Sequence, residues 1–293
     1  MEKRTIAFVE LFLVALSWSS FFLFLKELEK EGVSPVNIVV GRMVIASLIM
    51  IVVALILKTK LPPLKDFALL SFPGLSFFAG AWLVARGAES QPPGITAFLQ
   101  FAVPISISLF LLKKLDIKLT VIGVIALVMA VAGLLITAMG DTFTINISLG
   151  IIFLGAAFIG LYLISQKFLV KRYGPFMVTC FVFWGSLPLA AFFTPDFIKH
   201  VPGMSGEAWF MLMGMVIISS IVPFMLYNHA MKELGPVEGT AVNLIIPFLG
   251  SLVSFAFGGF DLSTETLIGG LVTFVGVGFF VAKGILRQDE VKG

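Results

Sequence analysis

The sequence predicts an all-α integral membrane protein, with ten transmembrane helices arranged as two inverted five-helix repeats around a central cavity. Three observations carry this reading. Of the 293 residues, 59% are hydrophobic and only 13% are charged, against roughly 25% charged in soluble domains. Apolar runs near the ~20 residues needed to cross a bilayer recur along the whole chain, and alternating segments of the outer-membrane barrel type are absent. Lysine and arginine gather on alternate connections, as the positive-inside tendency requires.

The first span, 5–25, follows a basic start in a signal-peptide-like pattern. Its apolar run is too long for a signal core and lacks a small-residue cleavage site, so it reads as a retained helix. Spans follow at 36–57, opened by Pro35, and at 67–88, ending in the polar VARGAES. The fourth, 93–112, and the fifth, 119–139, complete the first half. After the polar GDTFTINI (140–147) the second half gives 148–170, 176–193 (opened by Pro175), 207–231, 236–257 and 265–285. Proline at a helix start is tolerated because the first N–H has no intrahelical acceptor. The domain reading is therefore 1–141 for the first repeat, 147–286 for the second, and 287–293 for a short cytoplasmic tail.

With the N-terminus inside, fifteen cations fall on the cytoplasmic side: Lys3, Arg4, Lys58, Lys60, Lys65, Lys113, Lys114, Lys118, Lys167, Lys171, Arg172, Lys232, Lys283, Arg287 and Lys292. Three fall outside: Lys26, Lys30 and Lys199. This asymmetry puts both termini in the cytoplasm, supports an even number of spans and explains the basic pI. The expected location is the plasma (inner) membrane of a prokaryote. Nucleic acid is not an expected partner.

Two segments share an unusual pattern. TAFLQFAVPISISL (96–109) holds Gln100 four residues before Pro104, and GTAVNLIIPFLGSL (239–252) holds Asn243 four residues before Pro247. Proline cannot donate to the carbonyl four residues back, so each proline frees the backbone oxygen of the residue that also carries an amide. A free carbonyl at membrane depth must face protein, water or substrate. Without gaps, 84–104 aligns on 227–247, matching Pro93 with Pro236, Gln100 with Asn243 and Arg86 with His229. Five spans per half make the second half cross in the opposite sense. Inverted halves with helix breaks at matching places point to a secondary transporter with a midplane site. Kinks and interhelical hydrogen bonds are the alternative use of such residues.

The chain resembles the EamA branch of the drug/metabolite transporter superfamily over nearly its whole length. The resemblance rests on ALSWSSFFLFLK (15–26), on Pro35 with GRM (41–43), on the proline-bearing fourth and ninth spans, and on the glycine-punctuated fifth and tenth, LTVIGVIALVMAVAG and ETLIGGLVTFVGVG. It implies export, or less often import, of small metabolites including amino acids. It also implies a cavity lined by helices one, three, four, six, eight and nine. The family often has an acid nine residues before a glycine of the last helix in each half. Here Lys114 stands before Gly123 and Asp261 before Gly270, so only the second half keeps it.

Substrate-binding candidates are Gln100, Asn243, Trp82, Arg42, Tyr162, Trp18 and Ser20. Arg42, seven residues into helix two, can hold a carboxylate or phosphate bidentately, or can snorkel to the outer interface. Trp82 can stack on substrate or belong to an aromatic belt. Trp18 and Ser20 in helix one correspond in position to Tyr162, Ser165 and Gln166 in helix six. Coupling or gating candidates are His229, Glu10, Arg86 and Glu89. Histidine changes charge most readily near neutral pH, so His229 is a candidate for proton coupling, with an interface histidine as the plain alternative. Glu10 either carries a proton or reaches the cytoplasmic surface. Arg86 and Glu89, three apart on one helix face, read as an ion pair at the mouth. The Phe-rich SFFLFL (20–25) and FFAGAW (77–82) read as lipid-facing or packing surface. The small residues Gly123, Gly133, Gly269, Gly276 and Gly278 suit close helix contact, which makes helices five and ten a scaffold or a homodimer face.

One cysteine, Cys180, two histidines and scattered single acids offer no metal cluster, nucleophile–base pair or acid pair. No enzyme activity, metal or cofactor is expected. The function expected is alternating-access transport, in the export direction, of a small metabolite such as an amino acid. An uncoupled facilitator or channel for a small neutral solute is the other reading.

Overall fold

Among the described residues ten apolar helices form, because a helix pairs nearly all of its backbone polar groups within its own segment, as hydrocarbon requires. In the structure, a computed structural model describing residues 2–91, 93–110, 118–139, 145–257 and 262–283, α1 runs Glu2–Lys30, α2 Pro35–Ile56, α3 Phe67–Ala88, α4 Pro93–Phe110, α5 Val121–Ala138, α6 Ile147–Tyr173 and α7 Pro175–His200. The remaining spans are α8, Gly206–Ala230, α9, Pro236–Ala256, and α10, Thr264–Lys283. Among the described residues nine helices have the length and apolarity to cross a membrane, and Gly94–Phe110 is an apolar but shorter tenth. Large side chains such as Leu55, Phe110, Phe192 and Ile147 stay exposed around the outside, as lipid contact requires.

Polar residues at the ends fix the helix starts. Ser34 accepts from the Asn37 N–H, Thr120 from Gly123, Asn146 from Ser148 and Ser205 from Ala208, each satisfying an otherwise orphaned donor. Gly174, at φ 80°, turns α6 into α7; only a residue without Cβ adopts that conformation freely. Two helices outrun the sequence expectation. α1 extends to Lys30, where Glu27 pairs with Lys30. α7 continues past Pro195 to His200, stitched by a Thr194 hydroxyl bond to the Ala190 carbonyl and the Asp196–Lys199 pair.

The fourth and ninth spans differ from the expectation of matched breaks. α9 is interrupted at Leu244–Ile245, between Pro236–Asn243 and Ile246–Ala256, whereas α4 stays helical through Pro104. At the break the Leu244 and Ile245 N–H groups turn back to Ala241 and Val242, a tightening to three-residue bonds. In α4, Pro104 packs against Gly160 of α6, so close helix contact supports the turn that proline weakens. α8 carries an unforeseen π turn, Ile217–Ile221. It presents Ser219 to the Ser20 hydroxyl at 2.8 Å.

The packing runs across the two halves. α3 packs on α6 and α7, and α8 packs on α1 and α2; α4 packs on α6, and α1 on α9. Glycine makes the closest contacts. A Cβ at Gly80 would lie 2.7 Å from the Gly155 carbonyl oxygen, and one at Gly185 2.5 Å from that of Ser71. α5 and α10 pack tightly on each other through Gly133, Gly269 and Gly276. Gly278 has nothing within contact distance. The seam residues 140–144, Lys114, Asp261 and the tail 287–293 lie outside the described residues.

Candidate functional site

The walls formed by α3, α4 and α6 on one side and α1, α2 and α9 on the other enclose a cavity of about 520 Å³, within the range of small-molecule sites. Its mouth carries Glu29, Pro35, Glu89 and Gln91, the ends of α1, α2 and α3 and the start of α4. Its deep end carries Trp18, Pro104, Tyr162 and Asn243. The cavity therefore enters from the face opposite the N-terminus and stops at mid-depth. α2 belongs to the lining through Pro35, Val39 and Arg42. α8 contributes no lining residue among those described; its Phe224 and Tyr227 instead pack behind the lining rings. This corrects the set of lining helices that family resemblance implied.

The floor is an aromatic layer. Trp18 meets Tyr227 at 5.6 Å and Phe224 at 5.7 Å; Phe77 meets Tyr162 at 5.0 Å and Phe224 at 4.9 Å. Beside this layer and toward the N-terminal face, polar ties join the helices. The Lys167 ammonium donates to the Leu234 carbonyl and the Thr240 hydroxyl to Ser108. Arg4 pairs with Glu238 at 2.9 Å, and the other oxygen of Glu238 accepts from the Gly235 N–H at the start of α9. Ser19 of α1 donates to the Ile246 carbonyl just past the α9 break. The cavity is thus open at one end and closed at the other.

The candidates sort as follows. Gln100, Asn243, Arg42, Tyr162, Trp18, Pro104 and Glu89 line the cavity. Asn243 is 3% exposed and its side-chain oxygen has no hydrogen-bond partner. Pro247 is buried behind it in α9. Trp82 is not at the site: it stacks on Phe193 of α7 at 4.8 Å, because the residues of α3 that face inward are Phe77, Ala81, Val84 and Ala85. Ser20 also leaves the site, since its hydroxyl bonds the Ser17 carbonyl and Ser219. Ser165 and Gln166 both bond back to the Tyr162 carbonyl.

Glu10 and His229 come together at 2.7 Å, joining α1 to α8 outside the cavity. Arg86 and Glu89 form the expected pair at 2.7 Å, with side chains 56% and 35% exposed. Exposed i,i+3 pairs contribute at most about 0.5 kcal/mol. Arg86→Ala is therefore expected to leave the thermal unfolding midpoint of the purified protein within about 1 °C, on the scale by which 1 kcal/mol shifts a domain of this size by ~2–4 °C. A larger drop would make the pair a structural clasp.

Sequence reasoning missed Phe21 and Phe77, which were read as packing surface. They flank Arg42, with its guanidinium carbon 4.9 Å and 5.7 Å from their ring centres. It also missed Glu238, an acid in the first turn of an apolar helix whose partner, Arg4, lies 234 residues away. An intramembrane charge was the available signal.

Known proteins agree with this architecture. The model of the EamA-like transporter family matches residues 5–139 and again 146–282. A protein of Bacillus subtilis (strain 168) described as "Uncharacterized transporter YdfC" is 25% identical over 260 residues, covering 86% of this chain and 84% of its own. A solved chain described only as "Crystal structure of protein" superposes with a TM-score of 0.75 at 16% identity, covering 93% of this chain and 95% of that one. At that identity the likeness shows a shared fold.

Proposed function

The chain belongs to the EamA-like transporter family, a multi-pass membrane transporter rather than an enzyme, and on that premise we propose that it is a secondary carrier moving a small amphipathic metabolite by alternating access. The observation that carries the reading is the one-ended cavity, which has a polar mouth, an aromatic floor and polar ties beneath. A site that both faces must reach in turn needs such a floor near the midplane. The odd number of spans per half supports an inverted relation of the two repeats. With the N-terminus in the cytoplasm of a plasma-membrane protein, as the lysine and arginine distribution supports, this conformation is outward-open. Export is the direction expected. The mixed lining admits amino acids and organic acids as substrate classes.

The test is counterflow in liposomes. Saturable uptake of labelled solute, accelerated by the same solute on the other side, is the expected result. An uncoupled facilitator would show saturation without trans-acceleration and would overturn the carrier reading.

The Glu10–His229 contact supports a role in proton coupling that does not involve touching substrate. It is an ion pair when the imidazole is protonated and a single hydrogen bond otherwise. His229→Gln is therefore expected to leave counterflow near the unmodified rate and to lower accumulation driven by a proton gradient at least tenfold. Equal loss of both activities would make the pair a structural tie.

A further inference from the structure

We propose that the substrate is an organic monoanion, a carboxylate on an apolar body, whose carboxylate is gripped by Arg42; this deepens the carrier reading and rests on it. Arg42 lies seven residues past Pro35, roughly 10 Å below the start of α2 at 1.5 Å per residue. It is 5% exposed and lines the cavity. Phe21 and Phe77 lie over the guanidinium. That contact stabilises the cation and fixes its plane, but aromatic rings accept none of its in-plane N–H bonds. Its Nε is buried without an acceptor, and no described residue forms an ion pair or hydrogen bond with the group. A buried guanidinium left with unused donors is a costly arrangement unless something else fills them.

The electrostatic balance identifies what fills them. Among the described residues the only acids on the cavity wall are Glu29 and Glu89. Both sit at the mouth, and Glu89 is already engaged by Arg86. The deep chamber therefore carries a net charge of +1. A monoanion brings it to zero. A zwitterion leaves +1 in an apolar enclosure, and a cation raises it to +2. A carboxylate also matches the planar fork of arginine with two parallel bonds, which an alcohol or amide cannot do. The cavity lining also includes Leu25, Val39, Ala81 and Val84, which suits an apolar body. The unpartnered side-chain oxygen of Asn243 can accept from one donor on that body. The predicted order of affinity is monoanion, then zwitterion and neutral compound, then cation.

A matched indole series tests this order on the full-length protein in nanodiscs: indole-3-acetate, tryptophan, indole and tryptamine, with binding read by equilibrium dialysis of labelled compound. Indole-3-acetate is expected to bind at least tenfold more tightly than the other three. Arg42→Gln should weaken the acid about tenfold to a hundredfold, the range of a charge-assisted bidentate contact, and leave indole unchanged. Arg42→Lys should recover part of the loss. Tryptophan binding as tightly as the acid, acid binding indifferent to Arg42→Gln, or no displaceable acid binding at millimolar concentration would each overturn the proposal. Should Arg42→Gln not accumulate, the charge series on the unmodified protein decides alone. Counterflow separates the two readings. Acid bound but not exchanged overturns the carrier and leaves the anion site; exchange of zwitterionic or neutral solutes without preference for the acid overturns the anion site and leaves the carrier.

Discussion

The double variant Gln100→Ala, Asn243→Ala is expected to lose saturable counterflow by at least a hundredfold while remaining folded. Both amides line the cavity, from α4 and α9 on facing walls. The Asn243 oxygen is buried without a partner, so its unmet demand for a hydrogen bond is available to substrate, and a satisfied buried polar group contributes about 1–3 kcal/mol relative to an orphan. Removing it from the empty protein costs little, because no protein contact through that oxygen is lost. The single changes should differ. Asn243→Ala should account for most of the loss, since α9 is interrupted at the next residue and α4 is continuous. Pro247→Ala separates backbone from side chain. It restores an N–H four residues after Asn243, lets that carbonyl close an ordinary helical bond, and should straighten α9. Transport is then expected to fall with no loss of thermal stability. Counterflow that survives the double change in protein of normal melting behaviour would make both amides interhelical ties and move the site toward Arg42.

Residue type and spacing disclosed much of this molecule, and the limits are physical. Ten spans were legible because hydropathy and the bilayer thickness constrain each segment separately. Gln100 and Asn243 were legible because an amide in an apolar run needs a reason. The unequal fate of Pro104 and Pro247 was not legible. Whether a proline opens a helix depends on the neighbour beside it, and for Pro104 that neighbour is Gly160, 56 positions away in sequence. Rotation about the helix axis was the weakest inference. Trp82 and Ala81 are adjacent in sequence, yet Ala81 faces the cavity and Trp82 faces Phe193; a helix that is apolar on all sides gives no moment to tell the faces apart. Phe21 and Phe77 were misread for the same reason, since nothing local marks a phenylalanine as the partner of a cation one or more helices away. Glu10 and His229 were each identified alone, but their contact is a property of how α1 meets α8.

Gly133→Ala is expected to be strongly destabilising, and Gly278→Ala close to neutral, although both glycines belong to the same α5–α10 pair and to the same small-residue pattern. A Cβ at Gly133 would stand 2.5 Å from the Gly269 carbonyl oxygen and 2.5 Å from the Thr273 nitrogen. Both are backbone atoms, which cannot swing aside as a side-chain end can. The helices must part by about 1 Å to reach ordinary contact near 3.5 Å, and parting them strains the bond from the Thr273 hydroxyl to the Ala130 carbonyl, now 3.1 Å. Overpacking of this kind costs about 3 kcal/mol, and the lost interhelical bond adds about 0.6 kcal/mol. The contact is reciprocal: a Cβ at Gly269 would meet the Gly133 oxygen at 2.5 Å. Gly269→Ala should therefore match Gly133→Ala, and the two together should cost less than their sum, because the first separation makes room for the second methyl. Gly278 has nothing within contact distance, so its methyl meets only the surroundings of the helix. Thermal unfolding of the four variants in one detergent reads the difference. If Gly133→Ala melts with the unmodified protein, the two helices do not hold the close register described, and the Thr120 hydroxyl bond to the Lys283 carbonyl at one end of the pair would have to anchor them instead.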